Sequence, residues 1–257
     1  MVDLSRKWPL GLGEKTWWVA MTAALAVLAL TLVFDRALSV WAQSSPEALN
    51  GVWEFITGFG ESGWILYPAA ALLVVTAGLA LLVRWKLMRT MLWQFSALYG
   101  FILAGVGLPS LISTLAKRAI GRGRPMHFDE VGIFGFRWNL TDWTYQSFPS
   151  GHATTAFALA AVIGFLSPRW FYPMLVLAAL IAVSRVVLGV HYPSDVTGGA
   201  ILGLLGAYSA RFVFALRGWM FRVDPAGGVV RRPLASLARY VSLKRRGTAP
   251  TPQPGRP

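Results

Sequence analysis

Apolar runs long enough to cross a lipid bilayer recur along the chain and alternate with short polar segments. The six runs are residues 17–34, 64–83, 91–115, 153–166, 170–188 and 196–216. A helix needs about 20 apolar residues to cross a bilayer core of about 30 Å, and the shortest run can be extended by its flanks. The first run exceeds the apolar core of a typical secretory signal peptide, which favours an uncleaved span. The pattern predicts an all-α fold, a bundle of six transmembrane helices.

The polar segment between the first two runs carries a different spacing. Leu49, Val52, Trp53 and Ile56 follow one another at i, i+3, i+4 and i+7, which places them on one face of a helix. This spacing predicts a short interfacial helix between spans one and two, lying on the membrane surface. Packing of the same face against the rim of the bundle explains the spacing equally well.

Composition agrees with a membrane protein and adds an orientation. The 257 residues are 55% hydrophobic, and 24 basic against 11 acidic residues give a net charge of +13. No cysteine is present, which excludes disulfides and thiolate metal sites. The 84–89 loop and the end of the chain are basic, whereas the 35–63 segment is acidic. By the positive-inside rule, both termini are predicted to be cytoplasmic.

These patterns also predict how the chain is divided. Residues 1–216 are predicted to form one six-span membrane domain. Residues 217–257 are predicted to form a basic, partly disordered cytoplasmic tail, with a basic amphipathic segment near 234–243. The polar segments 116–149 and 189–195 then both lie outside the membrane, on the side away from the termini.

The first of three polar stretches with chemical potential follows the third apolar run. Lys117 and Arg124 are separated by six residues, two of them glycines, and Pro125 follows Arg124. Two cations on either side of a turn can hold different oxygens of one phosphate, and arginine adds a bidentate fork. A stop-transfer cluster is the alternative. The 122–125 segment also has the composition of a minor-groove DNA hook, but outside the membrane it would meet no nucleic acid.

The second and third stretches carry the two histidines of interest. Ser150, Gly151 and His152 open the fourth apolar run, where an N-terminal cap and free backbone amides favour an anion. A capping serine beside an interfacial histidine is the simpler alternative. Between the last two runs, Arg185 precedes His191, and Asp195 follows four residues later. A carboxylate near an imidazole fixes the ring tautomer and stabilises the imidazolium.

The order of the spans predicts that these stretches meet. Span three runs outward to Lys117, span four runs inward from His152, and spans five and six join at His191. All three stretches therefore lie on the same side of the bilayer. Lys117, Arg124 and Arg185 would then face a phosphate of about two negative charges with three positive charges.

Together the three stretches resemble the motifs of the type 2 phosphatidic acid phosphatase family, whose superfamily includes vanadium haloperoxidases and bacterial acid phosphatases. The motifs are Lys117-x6-Arg124-Pro125, Pro149-Ser150-Gly151-His152 and Ser184-Arg185-x5-His191-x3-Asp195. The resemblance implies a catalytic trio in which His191 attacks phosphorus, Asp195 orients its ring and His152 serves as general acid and base. It implies that the phosphate oxygens are held by Lys117, Arg124, Ser150, Gly151 and Arg185.

The resemblance implies no metal and no cofactor. Asp129, Glu130 and Asp142 could imitate a magnesium site, but solvated loop residues are the simpler interpretation. We interpret His127 as an interfacial residue.

The expected substrate is a phosphate carried by a membrane lipid. The loop between the first two stretches is rich in aromatic residues, which suit the headgroup layer. Phosphatidate, phosphatidylglycerophosphate, undecaprenyl diphosphate and lipid A are the substrate classes that the resemblance leaves open. Phosphoryl transfer to another lipid is a second enzymatic hypothesis, and a lipid-phosphate binder or transporter is the non-enzymatic one. We expect the protein in a bacterial inner membrane, with its site on the periplasmic face.

Overall fold

The computed structural model describes residues 3–7, 15–44, 46–138 and 140–233. Within these residues the chain forms nine α-helices and one antiparallel β-hairpin. The helices are α1 Trp17–Gln43, α2 Asn50–Gly58, α3 Gly63–Leu82, α4 Lys86–Ile102, α5 Leu108–Ile120, α6 Phe128–Val131, α7 Gly151–Leu166, α8 Phe171–Val187 and α9 Pro193–Leu216. The strands are β1 Phe221–Val223 and β2 Val229–Arg231.

The helical membrane architecture predicted from the apolar runs is confirmed. In the described part of the chain, five helical segments are long and apolar enough to cross a bilayer, and α7, with 16 residues, is a shorter apolar helix. The predicted interfacial helix corresponds to α2, which packs against α8. Ile56 of the predicted apolar face packs against the cluster that includes Ile181 of α8. Leu49 and Val52 of the same face are exposed, so only part of it meets the rim of the bundle.

Two helices differ in detail from the apolar runs that predicted them. The first helix extends to Gln43, beyond the predicted end at residue 34, because Asp35 is completely buried and paired within the protein. The third run is not a uniform helix, since a π-helical segment at Leu103–Gly107 separates α4 from α5. Such segments disturb the regular helical ladder, and this one contains Gly105 and Gly107, two of the three glycines of that run.

Helix α7 forms the centre of the bundle, between α8 and α9. Its contact with α9 is close because glycines of α9 face its backbone. A Cβ atom added to Gly203 would lie 2.3 Å from the carbonyl oxygen of Thr154, and one added to Gly199 would lie 2.5 Å from that of Ser150. Small residues permit this backbone approach in membrane bundles, and it fixes the start of α7 against the start of α9.

The end of the bundle opposite the first turn of α7 is closed by both ends of the described chain. The hairpin packs Phe221 and Val229 into the same apolar cluster as Phe101. The backbone carbonyl of Ser5 accepts a hydrogen bond from Val229, so the N-terminal segment lies at this end too. Residues 221–231 thus form a packed hairpin within the predicted tail, and the division of the chain at residue 217 stays a prediction. The predicted amphipathic segment at 234–243 lies outside the described residues.

Candidate active site

The three polar stretches meet at one end of the bundle. Lys117 lies in the last turn of α5, which ends where Gly121 adopts a left-handed conformation with φ of 67°. The loop that follows returns to α7, whose second residue is His152. His152 lies within electrostatic range of Lys117, Arg124, Arg185 and His191. The structure therefore brings the cations and the two predicted imidazoles together.

The start of α7 forms one side of this cluster. The backbone N–H of Ser150 donates to the backbone carbonyl of Asp195 at 2.9 Å, which joins the second stretch to the third. Ser150 occupies the N-cap position, but its hydroxyl makes no capping bond. That Oγ atom is buried and has no hydrogen-bond partner among the described residues. A Cβ atom on Gly151 would lie 3.2 Å from Nζ of Lys117, so glycine leaves the ammonium room beside the helix start.

Three cations of the cluster have no acidic partner. In the part of the chain that the structure describes, Lys117, Arg124 and Arg185 form no ion pair within 4.0 Å. The Arg124 guanidinium lies 4.7 Å from the centre of the Trp143 ring, and Nη1 of Arg185 donates to Thr57 at 3.0 Å. Burial lowers the pKa of Arg124, an effect that Asp195 partly offsets. Half-buried positive charges without an ion-pair partner favour an anionic ligand.

His191 is buried in the turn between α8 and α9. Its Nδ1 lies 3.6 Å from Oδ2 of Asp195, longer than a hydrogen bond. Burial lowers the pKa of His191 to about 4, although the neighbouring carboxylate acts in the opposite direction. The imidazole is therefore neutral at pH 7. The Nε2 atom, on the far side of the ring from Asp195, is left as the available base or nucleophile.

Asp195 has partners that the sequence analysis did not assign. Its Oδ1 accepts from Nη1 of Arg122 at 2.6 Å, and its Oδ2 accepts from the Ser147 hydroxyl and the Tyr192 N–H. Arg122 also forms an ion pair with Asp35 of α1 at 2.7 Å. The carboxylates raise the pKa of Arg122 even though burial opposes them. An acid directly after an apolar run was the available signal for Asp35, since charges in membrane segments are usually functional.

Helix α2 and the residues directly after it form one side of the site, which the sequence did not predict. A Cβ atom on Gly60, two residues beyond α2, would lie 3.0 Å from Cβ and Cδ2 of His152 and 2.7 Å from Ile181. The same segment supplies Thr57 to Arg185. Gly60 was the signal, because close approach to a neighbouring side chain requires a residue without a Cβ.

The loop before α7 presents aromatic side chains outward. Four of its aromatic residues are exposed, as residues of the headgroup layer would be: Phe134, Phe136, Trp138 and Trp143. His127 hydrogen-bonds Thr144 and stacks on Tyr145. Asp129 and Glu130 are exposed, whereas Asp142 accepts hydrogen bonds from Thr144 at the following turn.

The helical bundle and its cluster of cations and imidazoles define an integral-membrane hydrolase of phosphate esters. A family model described as "PAP2 superfamily" matches residues 95–219. The chain is 34% identical over 245 residues to a protein named lipid A 1-phosphatase from Rhizobium johnstonii, covering 92% of this chain and 98% of that one. It is 30% identical over 157 residues to an undecaprenyl-diphosphatase from Sulfolobus acidocaldarius, covering 60% and 66% of the two chains.

Among solved structures, a transmembrane PAP2-type phosphatidylglycerolphosphate phosphatase from Bacillus subtilis is 25% identical, with a TM-score of 0.49 over 75% of this chain and 94% of that one. The chain belongs to the PAP2 superfamily. The family inferred from the three motifs is thereby confirmed, and so is the class of membrane lipid phosphatase.

Proposed function

We propose that the protein hydrolyses a lipid phosphate at this cluster, with His191 as the nucleophile. The observation that carries the proposal is a group of three half-buried cations around two imidazoles, none of them in an ion pair among the described residues. Lys117, Arg124 and Arg185 hold the phosphate oxygens, and the Ser150 hydroxyl and the Gly151 amide complete the cradle. Their charges are fixed before the reaction, so they stabilise the charge that develops on those oxygens.

In the first step, Nε2 of His191 attacks phosphorus and the bond from phosphorus to the lipid oxygen breaks. The neutral imidazole provides the electron pair, and Asp195 stabilises the positive charge that the ring then acquires. The negative charge of the bound phosphate favours a protonated His152, which donates its proton to the leaving lipid oxygen. The products of this step are a lipid alcohol (or a lipid monophosphate, from a diphosphate) and a phosphohistidine.

In the second step, a water molecule attacks the phosphohistidine. His152, now neutral, accepts the proton of that water, and the bond between phosphorus and Nε2 breaks. Inorganic phosphate leaves and both imidazoles return to their starting states. Transfer to a lipid alcohol in place of water would give the phosphotransferase alternative from the same intermediate.

We place the site on the outer face of a bacterial inner membrane, with both termini in the cytoplasm. The acidic 35–63 segment, the basic 84–89 loop and the positive-inside rule support this orientation. The contact between Ser5 and Val229 supports a common side for the two ends. Since the chain has no native cysteine, single cysteines at Trp138 and Ala226 can be labelled with an impermeant maleimide in intact cells. Labelling at 226 and not at 138 would contradict the orientation.

The first substrate candidate is a phosphate on a glycolipid of the lipid A type. This candidate is supported by the relatives named lipid A 1-phosphatase, which align with this chain over nearly their whole length. The alignment includes the first helix and therefore Asp35, which lies outside residues 95–219 of the family match.

A polyprenyl diphosphate is the second candidate. Relatives named undecaprenyl-diphosphatase support it, although they match a smaller part of this chain. Both candidates present a phosphate at the headgroup layer, and a comparison of lipids separates them.

The test measures inorganic phosphate released by purified protein in detergent from lipid A, undecaprenyl diphosphate, phosphatidate and phosphatidylglycerophosphate. We expect His191→Asn to lose at least about 10³-fold in kcat and to form no acid-labile phosphoenzyme. His127→Asn is the matched control and should retain activity, because His127 lies in the outer loop. Equal release by His191→Asn and wild type would contradict the nucleophile. Loss of activity with chelator would contradict a metal-independent reaction.

A further inference from the structure

Helix α1 contains a buried carboxylate directly after two exposed apolar residues. Val33 and Phe34 are 76% and 47% exposed, whereas Asp35 is completely buried. A charge at this depth is costly unless it is paired and hydrogen-bonded. Both oxygens of Asp35 are used: Oδ1 accepts from the Ser194 N–H at 2.8 Å, and Oδ2 accepts from the Ser194 hydroxyl at 2.6 Å.

Arg122 connects this carboxylate to Asp195. Its Nη2 donates to Oδ2 of Asp35 at 2.7 Å, and its Nη1 donates to Oδ1 of Asp195 at 2.6 Å. The guanidinium also donates to the carbonyl of Ile133 and lies 4.6 Å from the centre of the Tyr192 ring. One planar cation therefore fixes two buried carboxylates in a single geometry. With two acids beside it, Arg122 is neutralised, unlike the cations of the phosphate cradle.

We propose that Asp35 is a positioning residue for catalysis, acting through Arg122 on the carboxylate that faces His191. The proposal rests on the proposed role of His191 as nucleophile. Arg122 binds Oδ1 of Asp195, which turns Oδ2 toward Nδ1 of the imidazole. Asp35 holds the other side of the guanidinium and, through Ser194, the first turn of α9. When Asp35 is removed, both Arg122 and Ser194 lose a fixed hydrogen-bond partner.

Simple anchoring of α1 would also explain a buried ion pair, and it makes a different prediction. Loss of an anchor lowers stability and adds independently to any defect in Asp195. Loss of a positioning contact lowers kcat. This effect on kcat is absent when Asp195 can no longer act on His191, because effects that act through one group are not additive.

The test compares Asp35→Asn, Asp195→Asn and the double variant in the phosphate-release assay, with wild type alongside. Asp35→Asn keeps the size of the side chain and removes its charge. We expect kcat to fall about tenfold or more with KM within about twofold of wild type, because the phosphate-binding cations are untouched. We expect the double variant to have the kcat of Asp195→Asn alone. Wild-type kcat in Asp35→Asn, or losses that multiply in the double variant, would overturn the proposal.

Ser39→Ala is the matched control in the same helix. Ser39 is buried one turn after Asp35, and its hydroxyl has no hydrogen-bond partner among the described residues. We expect its kcat and KM to equal those of wild type. If Ser39→Ala lost as much kcat as Asp35→Asn, the loss would be due to the packing of α1 against the bundle. This result would overturn the proposal.

A second variant keeps the proposal testable if Asp35→Asn does not fold. Arg122→Lys retains the charge but cannot span both carboxylates, because an ammonium lacks the planar fork of a guanidinium. We expect its kcat to fall about tenfold at unchanged KM, and an unchanged kcat would overturn the proposal. Full activity of His191→Asn would instead contradict the proposed function. The Asp35 variants test only the positioning role, so the two failures can be told apart.

Discussion

Replacement of Gly203 by alanine tests whether the close contact between α7 and α9 sets the geometry of the site. The added Cβ would lie 2.3 Å from the carbonyl oxygen of Thr154 and 3.0 Å from the backbone nitrogen of Ala158. Both atoms belong to the backbone of α7, which cannot move aside as a flexible side chain would. The two helices must therefore separate.

The size of the effect follows from these distances. Bringing the Cβ from 2.3 Å to ordinary van der Waals contact requires a shift of about 1 Å. Such overpacking costs about 1–3 kcal/mol of stability. Ser150 lies one turn before Thr154 in α7, and Asp195 lies about two turns before Gly203 in α9. The same shift would stretch the 2.9 Å hydrogen bond from Ser150 to Asp195 beyond hydrogen-bonding range. Displacement of catalytic groups by about 1 Å can reduce the rate by about 10²-fold.

The assay measures kcat for phosphate release and the thermal unfolding midpoint of the same detergent preparation. Gly203→Ala should lower both. Gly78→Ala in α3 is the control, because a Cβ atom there meets nothing within 4 Å, and it should leave both unchanged or raise the midpoint slightly. Wild-type kcat in Gly203→Ala would refute the reasoning, since it would mean that the start of α7 and that of α9 are positioned independently.

Two further predictions concern the imidazoles. The pKa of His191 is lowered to about 4 by burial, so its neutral form persists as pH falls from 7 to 5 and protonation begins only as pH approaches 4. In ¹⁵N spectra of histidine-labelled protein, the signal absent from His191→Gln should show no titration above pH 5, and a midpoint near 6.5 would contradict this burial. Gly60→Ala should lower kcat about tenfold or more, because its Cβ would press on His152 and Ile181. Gly58→Ala, where the space is open, should remain active, and equal activity of the two variants would exclude contact of this segment with His152.

The sequence alone was sufficient for the parts of the molecule that depend on local pattern. Apolar runs predicted the helical membrane bundle, and the order of the spans predicted that Lys117, His152 and His191 lie near one another. Each of these residues belongs to a short motif next to a helix end, so its position follows from the helix it adjoins.

The partners of Asp195 could not be predicted in this way, because they depend on contacts between distant segments. Asp35 and Ser194 are 159 residues apart, and Asp35 and Arg122 are 87 residues apart. An acid beside Arg36 at the end of an apolar run has the pattern of a helix end at the interface. Only the packed structure shows that Asp35 continues the helix and turns inward, so the predicted end of α1 was too early. The hairpin after α9 was missed because its strands, with three residues each, are too short to show a period.

The short central helix predicts how deep in the bilayer the proposed reaction occurs. Sixteen residues extend about 24 Å, less than the hydrocarbon thickness of about 30 Å. We therefore expect the first turn of α7, with His152, to lie in a depression below the membrane surface. A lipid can present its phosphate there while its chains stay in the hydrocarbon, without rising into the aqueous phase. Small water-soluble phosphate esters have no lipid chain to hold them there. The rate of hydrolysis of one lipid should therefore depend on the thickness of the bilayer.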